Sequence, residues 1–322
     1  MKQMRKIRVG TRGSALALTQ TEMVIRMLGQ RFPELETETL VIKSTGDRIQ
    51  DRPLAEIGGS GLFTRELEAA LLDGRIDFAV HSMKDMPAEQ PAGLVFAMPP
   101  AREDGRDVLV LRPGLSCLAD LPRGARIGTG SLRRSRQLAL LRPDIETVGI
   151  RGNIETRMAK IRDEGLDGVI LAAAGLHRGG YHHKITAYLE PETMIPAPAQ
   201  GVLAVEYRAA DRELGGWLNA LGHEETDLAA RAERAFLKAC GAGCHAPVGA
   251  FCRVKDRTLE LLGAYGREQG RALARGRLTG PAGQPENLGR ELAEKLMARL
   301  PREADTGVLP PEIQPPEAEG KA

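Results

Sequence analysis

At 322 residues, 42% hydrophobic and 27% charged, the chain has the length for two or three globular domains and the composition of a soluble protein. A net charge of +2, with 45 Lys and Arg against 43 acids, excludes a general nucleic-acid surface, and 3% aromatic residues exclude a base-stacking platform. No apolar run approaches the roughly 20 residues of a membrane span, and "MKQMRKIRVG" has no apolar stretch behind it to make a signal peptide.

In chain order, "IRVGT" (7–11) reads as a strand. Residues 14–32 follow as a helix, with Leu18, Val24, Ile25, Met27 and Leu28 at helical spacing. "ETLVIK" (38–43) is a strand, 62–74 a helix closed by Gly74, and "FAVHS" (78–82) a third strand. This βαβαβ order predicts a parallel sheet with helices on its faces. A second set begins near "PPAREDGRD": strands at 107–112, 126–130, 146–152 and 168–175, with helices at 131–143 and 153–165. The Pro-rich 191–201 reads as a crossover or hinge, and "VLAVEYR" (202–208) as a strand returning to the first sheet. Beyond residue 220 the pattern becomes helix 227–241, three antiparallel strands and helix 285–300, a small α+β unit. The tail after Pro301, rich in Pro and Glu, is expected to be disordered.

Polar residues recur at the carboxyl ends of these strands, where open α/β sheets bind ligands. Arg12 and Ser14 follow the first strand, and Ser82, Lys84 and Asp85 the third. Thr129, Ser131, Arg133 and Arg134 open a helix, as do Arg151, Gly152, Asn153 and Arg157; His177 and Arg178 follow "AAAG". Arginine beside Gly, Ser or Thr at such turns suits a ligand with several carboxylates, because helix N-termini favour anions and guanidinium grips carboxylate with two prongs. The competing reading of each arginine is a solvated surface residue. Asp85 among these cations either holds a positive ligand nitrogen, passes a proton to a leaving amine, or pairs with Lys84 or an arginine. There is no GxxxxGK[ST] motif, nor a GxGxxG after a strand, which speaks against a nucleotide phosphate.

Four cysteines, Cys117, Cys240, Cys244 and Cys252, fit reduced cytoplasmic thiols better than a disulfide framework. Cys244 lies in "GAGCHAPVG", a Gly/Pro loop past a helix, where a thiol can be exposed and reactive. The spacing of Cys240, Cys244, His245 and Cys252 is no standard zinc pattern. A hydrolytic nucleophile, a covalent attachment point and an inert loop cysteine remain open for Cys244.

The motifs "GTRGSALALTQ", "GGSGLFTRELE", "DFAVHSMKDMP", "REDGRDVLV", "IGTGSLRRSRQL", "IRGNIETRM", "ILAAAGLHR", "IPAPAQGVLAVE" and "GAGCHAPVG" occur in this order. Together, from about residue 6 to 300, they closely resemble the porphobilinogen deaminase family of tetrapyrrole biosynthesis. The resemblance implies two α/β domains of periplasmic-binding-protein architecture and a small α+β C-terminal domain. The boundaries expected are 1–101 with 200–219, then 105–195, then 220–303, with a 304–322 tail. It implies a dipyrromethane cofactor joined by a thioether to Cys244, and no metal. It implies that four porphobilinogen molecules are deaminated and condensed in turn, followed by hydrolysis to hydroxymethylbilane.

By the same resemblance Asp85 is the catalytic carboxylate. Ser14, Ser82, Lys84, Thr129, Ser131, Arg133, Arg134, Arg151 and Gly152 meet the cofactor, and Arg12, Arg157, Arg178 and Gln200 meet substrate. A cytoplasmic monomer without nucleic-acid or membrane partners is implied as well. The chain departs from the family in having Ser60 and Glu56 where loop lysines are usual, His245 where Gln is common, and an extra thiol at Cys240. The competing class is a non-catalytic two-lobed binding protein for an anionic solute. Cys244 and Asp85 argue against it, since such a protein needs neither.

Overall fold

The structure, a computed structural model, describes residues 5–43, 64–241 and 246–300. The first helix, α1 (Ala15–Arg31), starts where it does because the Ser14 hydroxyl accepts from the Ala17 N–H at 3.3 Å. Its buried face, Val24 and Leu28, packs on the first sheet, while Leu18 stays exposed. That sheet runs in the order β2 (Glu36–Val41), β1 (Lys6–Thr11), β3 (Phe78–Ser82), β10 (Leu203–Arg208), β4 (Leu94–Phe96). Helix α2 (Arg65–Leu72) covers it through Leu67, Ala70 and Leu71.

The second sheet repeats the plan: β7 (Glu146–Val148), β6 (Arg126–Gly128), β8 (Gly168–Ala172), β5 (Asp107–Leu111), β9 (Ala187–Leu189). Its helices are α3 (Leu132–Leu141), α4 (Ile154–Asp163) and α5 (Ala173–Arg178). These are two α/β units built to one plan, a five-stranded mixed sheet with helices on its faces. A third, antiparallel sheet, β11 (Val248–Lys255), β12 (Thr258–Gly266) and β13 (Leu273–Pro281), packs against α7 (Glu224–Ala239) and α8 (Pro285–Met297) around Phe236, Leu261 and Leu292.

Neither large sheet is wholly parallel. β1 pairs in parallel with β2 and β3, but β10 runs antiparallel to β3 and β4, and β5 antiparallel to β8 and β9. The cause is where the chain arrives. Leu203 enters opposite Ser82, the last residue of β3, and Asp107 enters opposite Ala172, the last of β8. A crossover that delivers the chain at the carboxyl edge leaves it only one direction to run.

The expected strand 168–175 ends at Ala172 and turns into α5, so His177 and Arg178 stand on a short helix rather than at a strand end. Helix α6 (Arg212–Asn219) was not evident from the pattern, because Gly215 and Gly216 interrupt it. Gly215 is required there: a Cβ would meet the Tyr207 hydroxyl at 2.7 Å. The two crossovers lie against each other. The Glu103 N–H donates to Gly201 O, and at Gly201 (φ +88°) a Cβ would stand 2.4 Å from Glu103 O, so only glycine fits. Ala199 adopts the left-handed region without being glycine (φ +58°), held by the Glu233 carboxylate, which accepts from its N–H at 2.6 Å.

Candidate active site

The apolar run of β3 buries Phe78, Ala79 and Val80 and ends in a 3₁₀ turn, Met83–Asp85, closed by the Met86 N–H donating to Met83 O. Met83 and Met86 are buried on either side, which pushes the two intervening side chains outward. Asp85 is exposed, and among the described residues its carboxylate joins no ion pair. Lys84 is half-buried, and its Nζ donates to Gln200 Oε1 at 3.2 Å. Burial lowers the Lys84 pKa to about 8; Asp85 and Asp107 oppose this, while Arg134 and Arg133 add to it.

Gln200 is a junction. Its amide nitrogen donates to Gly105 O (2.9 Å), Arg106 O (3.2 Å) and Asp107 Oδ1 (2.9 Å). Its side chain is therefore engaged at both ends and buried, and it acts on the site through Lys84 and Asp107. Asp107 in turn holds the two arginines that open α3. Arg133 Nη1 donates to Asp107 Oδ2 (2.6 Å) and Ile195 O (2.7 Å). Arg134 donates to Asp107 Oδ1 from Nε (3.0 Å) and Nη2 (2.7 Å), and to Ile170 O (2.9 Å). All three residues are buried. Burial alone would raise the Asp107 pKa; Arg133 and Arg134 outweigh it and hold the carboxyl well below the usual range.

Asp107 is the member of this site that sequence reasoning missed. The signal was present, a carboxylate opening the apolar strand of "REDGRDVLV", but its partners lie 26, 27 and 93 residues away. The arginine pair expected to face a ligand directly is instead anchored by a resident carboxylate. Its remaining N–H groups, not the whole guanidinium forks, are what it has to offer.

The other cations stand on the neighbouring turns. Arg157, on α4, donates from Nε to Gly152 O (2.8 Å). Burial lowers its pKa, with Arg134 and Arg151 adding and Asp85 opposing, so these four groups share one electrostatic field. Gly152 has φ +107°, and a Cβ there would meet Thr156 at 2.7 Å; Asn153 then caps α4 by accepting from Thr156 N at 2.8 Å. Arg178 donates from Nη2 to Gly201 O (2.7 Å), while its buried Nε has no hydrogen-bond partner among the described residues. Burial lowers the Arg178 pKa to about 10, Glu103 opposing. Arg151 and Ser14 are exposed, and Arg12, two residues before Ser14 at the end of β1, is half-buried.

The hydroxyls differ in what they hold. Ser82 Oγ exchanges with the Gln20 amide (2.9 and 3.3 Å), Thr129 Oγ1 accepts from Ser131 N (3.2 Å), and Ser131 is the N-cap of α3 without a side-chain bond. Cys244, Ser60 and Glu56 lie outside the described residues. Cys240 and Cys252 are buried, with thiol pKa values pushed up by burial, to about 12 for Cys240, so neither is a poised nucleophile. Among the described residues no group of His, Cys, Asp and Glu is placed to hold a metal, and no helix is long and apolar enough to cross a membrane.

The geometry is that of two α/β units with a third unit packed on their crossovers, carrying at Asp85 a carboxylate that joins no ion pair among the described residues and stands amid cations. Known proteins narrow this class. Residues 7–215 match the family model described as porphobilinogen deaminase, dipyromethane cofactor binding domain, and residues 228–298 match the C-terminal domain of the same family. Porphobilinogen deaminase of Lachnospira eligens is 52% identical over 292 residues, covering 90% of this chain and 98% of the relative. That of Clostridioides difficile is 48% identical over 289 residues, covering 90% and 96%. The chain belongs to the porphobilinogen deaminase family, a family of transferases in tetrapyrrole biosynthesis. Among solved structures, the periplasmic VFT2 domain of Bordetella pertussis BvgS is 16% identical with a TM-score of 0.40, covering 68% of this chain and 86% of that one.

The residues present fit a dipyrromethane. It brings several carboxylates, and the site offers the cations Lys84, Arg151 and Arg157 together with the buried Nε of Arg178, which has no hydrogen-bond partner among the described residues.

Proposed function

We propose that Asp85 is the catalytic carboxylate of a stepwise deaminating condensation, in which four porphobilinogen molecules are joined to a dipyrromethane held through a thioether at Cys244 and released by hydrolysis as hydroxymethylbilane. The bound dipyrromethane supplies a nucleophilic pyrrole carbon. The observation that carries the reading is Asp85 itself: exposed at the end of a buried strand, free of ion pairs among the described residues, and electrostatically coupled to Lys84 and Arg157.

The work of the residues follows from their charge. Porphobilinogen carries an acetate, a propionate and an aminomethyl group. Loss of ammonia leaves an electron-poor methylene-pyrrole, and positive charge develops on the ring. A fixed anion at Asp85 stabilises that charge and accepts hydrogen bonds from pyrrole N–H groups. Lys84, the remaining N–H groups of Arg133 and Arg134, and Arg151 hold cofactor carboxylates. Arg12, Arg157 and Arg178 hold those of incoming substrate. Ser14, Ser82, Thr129, Ser131 and Gly152 shape the turns that present these cations, and Gln200 ties them to the crossovers. The division into domains at 1–101 with 200–219, 105–195 and 220–303 belongs to this proposal, as does a cytoplasmic monomer without nucleic-acid partners.

Intact mass tests the attachment. The purified protein is expected to exceed its sequence mass by two linked pyrrole units, and Cys244→Ser to lose both the increment and turnover. Asp85→Asn is expected to fold and to lose about 10²–10³ in rate. An unmodified yet fully active protein overturns the Cys244 assignment, and near-normal turnover in Asp85→Asn overturns that of Asp85.

A further inference from the structure

Helix α7 belongs to the third unit, yet one of its faces lies against the turn that carries Asp85. Ala230 packs in one apolar cluster with Met83 and Met86, which bracket Lys84 and Asp85. One helical turn later, Arg234 Nη2 donates to the carbonyls of Pro87 (2.8 Å) and Ala88 (3.2 Å), the residues that follow the turn. The Arg234 guanidinium also lies over the Phe96 ring, 5.3 Å from its centroid. Adjacent on the helix, Glu233 grips the crossovers, accepting from Arg102 (2.6 and 3.1 Å) and from the N–H of Ala199.

The segment that Arg234 holds is tied mainly to α7: Arg234 bonds its backbone, and one turn later Lys238 makes an exposed ion pair with Glu89 at 2.9 Å. Residues 87–91 belong to no helix or sheet. Pro87 and Pro91 have no N–H to donate. Asp85 has no side-chain ion pair among the described residues, so its backbone decides where the carboxylate stands. A charged donor bound to two successive carbonyls fixes the orientation of those peptides and, through the rigid Pro87, the exit of the turn.

We infer that Arg234 is a positioning residue for Asp85: from the third unit it pins the segment after the 3₁₀ turn and so sets the carboxylate against the reacting pyrrole. The inference rests on Asp85 being the catalytic carboxylate. It makes the seating of α7 part of the active-site geometry. The same helix ends at Ala239, five residues before Cys244, so one rod is tied to the Asp85 turn and leads into the proposed cofactor loop.

The test is a double-mutant cycle on the holoenzyme. Arg234→Met keeps an aliphatic stem against Phe96 and removes both donors; Arg234→Lys keeps the charge with a single head. For Arg234→Met, intact mass is expected to show full cofactor content. Its kcat is expected to fall about ten- to a hundred-fold with KM changed less than about threefold, as a displaced catalytic group requires. Arg234→Lys is expected to recover part of kcat. In an Asp85→Asn background, Arg234→Met is expected to cost less than about threefold more, because its effect passes through Asp85.

Wild-type kcat in Arg234→Met overturns the inference, as do rate losses that multiply in the double variant, a rise in KM alone, or loss of the cofactor. If Arg234→Met does not fold, the cycle is run with Arg234→Lys under the same criteria. Near-normal turnover in Asp85→Asn would instead remove the reading on which the inference rests, so the two failures are told apart by the single variants.

Discussion

Lys84, proposed above to hold a cofactor carboxylate, is a cation kept half out of water, and that has a measurable cost. Burial takes its pKa from 10.5 to about 8, which corresponds to about 3 kcal/mol of disfavour for the charged form if the group were wholly shielded. Lys84 is only half-buried, so screening by water reduces this to about 1–2 kcal/mol. A folded-state pKa below the unfolded value means that between pH 8 and 10.5 the unfolded chain holds a proton that the folded protein has released. Stability therefore rises with pH across that window. Lys84→Met removes the titration. It also leaves Gln200 Oε1 without its donor, a penalty that does not vary with pH.

The informative quantity is thus the difference between the two proteins as a function of pH. Urea unfolding of cofactor-free protein, in a Cys244→Ser background, should show the Lys84 form gaining about 1–2 kcal/mol on the Lys84→Met form between pH 7 and 10.5. With the cofactor in place, a carboxylate partner restores the ammonium, and the gain should vanish. Parallel profiles in the cofactor-free pair would refute the claim that Lys84 is desolvated and waiting.

Asp107→Asn leaves two buried guanidiniums without their counter-charge and should cost about 3–5 kcal/mol, read as a lowered unfolding midpoint. Because the folded-state pKa of Asp107 is depressed, the stability it contributes is present above the unfolded carboxyl value and lost as pH falls below it, so wild type and variant should converge in acid. Glu233→Ala removes the acceptor shared by Arg102, Ala199 N–H and Cys252 N–H; a loss of about 3–5 kcal/mol is expected by thermal unfolding. Ser60→Lys restores a cation of the kind usual at that loop position in the family. Native mass spectrometry under limiting substrate should show more enzyme carrying three or four added pyrroles, and an unchanged distribution would mean that the loop does not hold the growing chain.

What the sequence makes legible, and what it hides, divides along chain distance. Local chemistry is readable: Ser14 before a helical repeat caps α1, and Asp85 after a buried strand is exposed at its end. Strands β4 and β9, three residues each, lack the Gly-bearing turn that marks the equally short β6 and β7, and the glycines of α6 mask its helical stripe. The arginines of α3 are legible as cations but not as buried ones. Their burial depends on Asp107, and the position of Asp107 depends on Gln200 arriving from the second crossover. The direction of β5 and β10 is likewise a property of where the crossovers enter, and no local periodicity encodes it.

The placement of β10 governs the order in which the molecule can be made. In the first sheet β4 is bonded only to β10, and β10 lies between it and β3. Residues 1–100 alone therefore supply β2, β1 and β3 paired side by side, with the far edge of β3 open and β4 without its neighbour. The whole second sheet, 107–189, lies between β4 and β10 in the chain and needs nothing from outside itself to pair. By connectivity, all strand partners of the second sheet are present in the chain before β10 is made, whereas β4 has its partner only once residues 203–208 are.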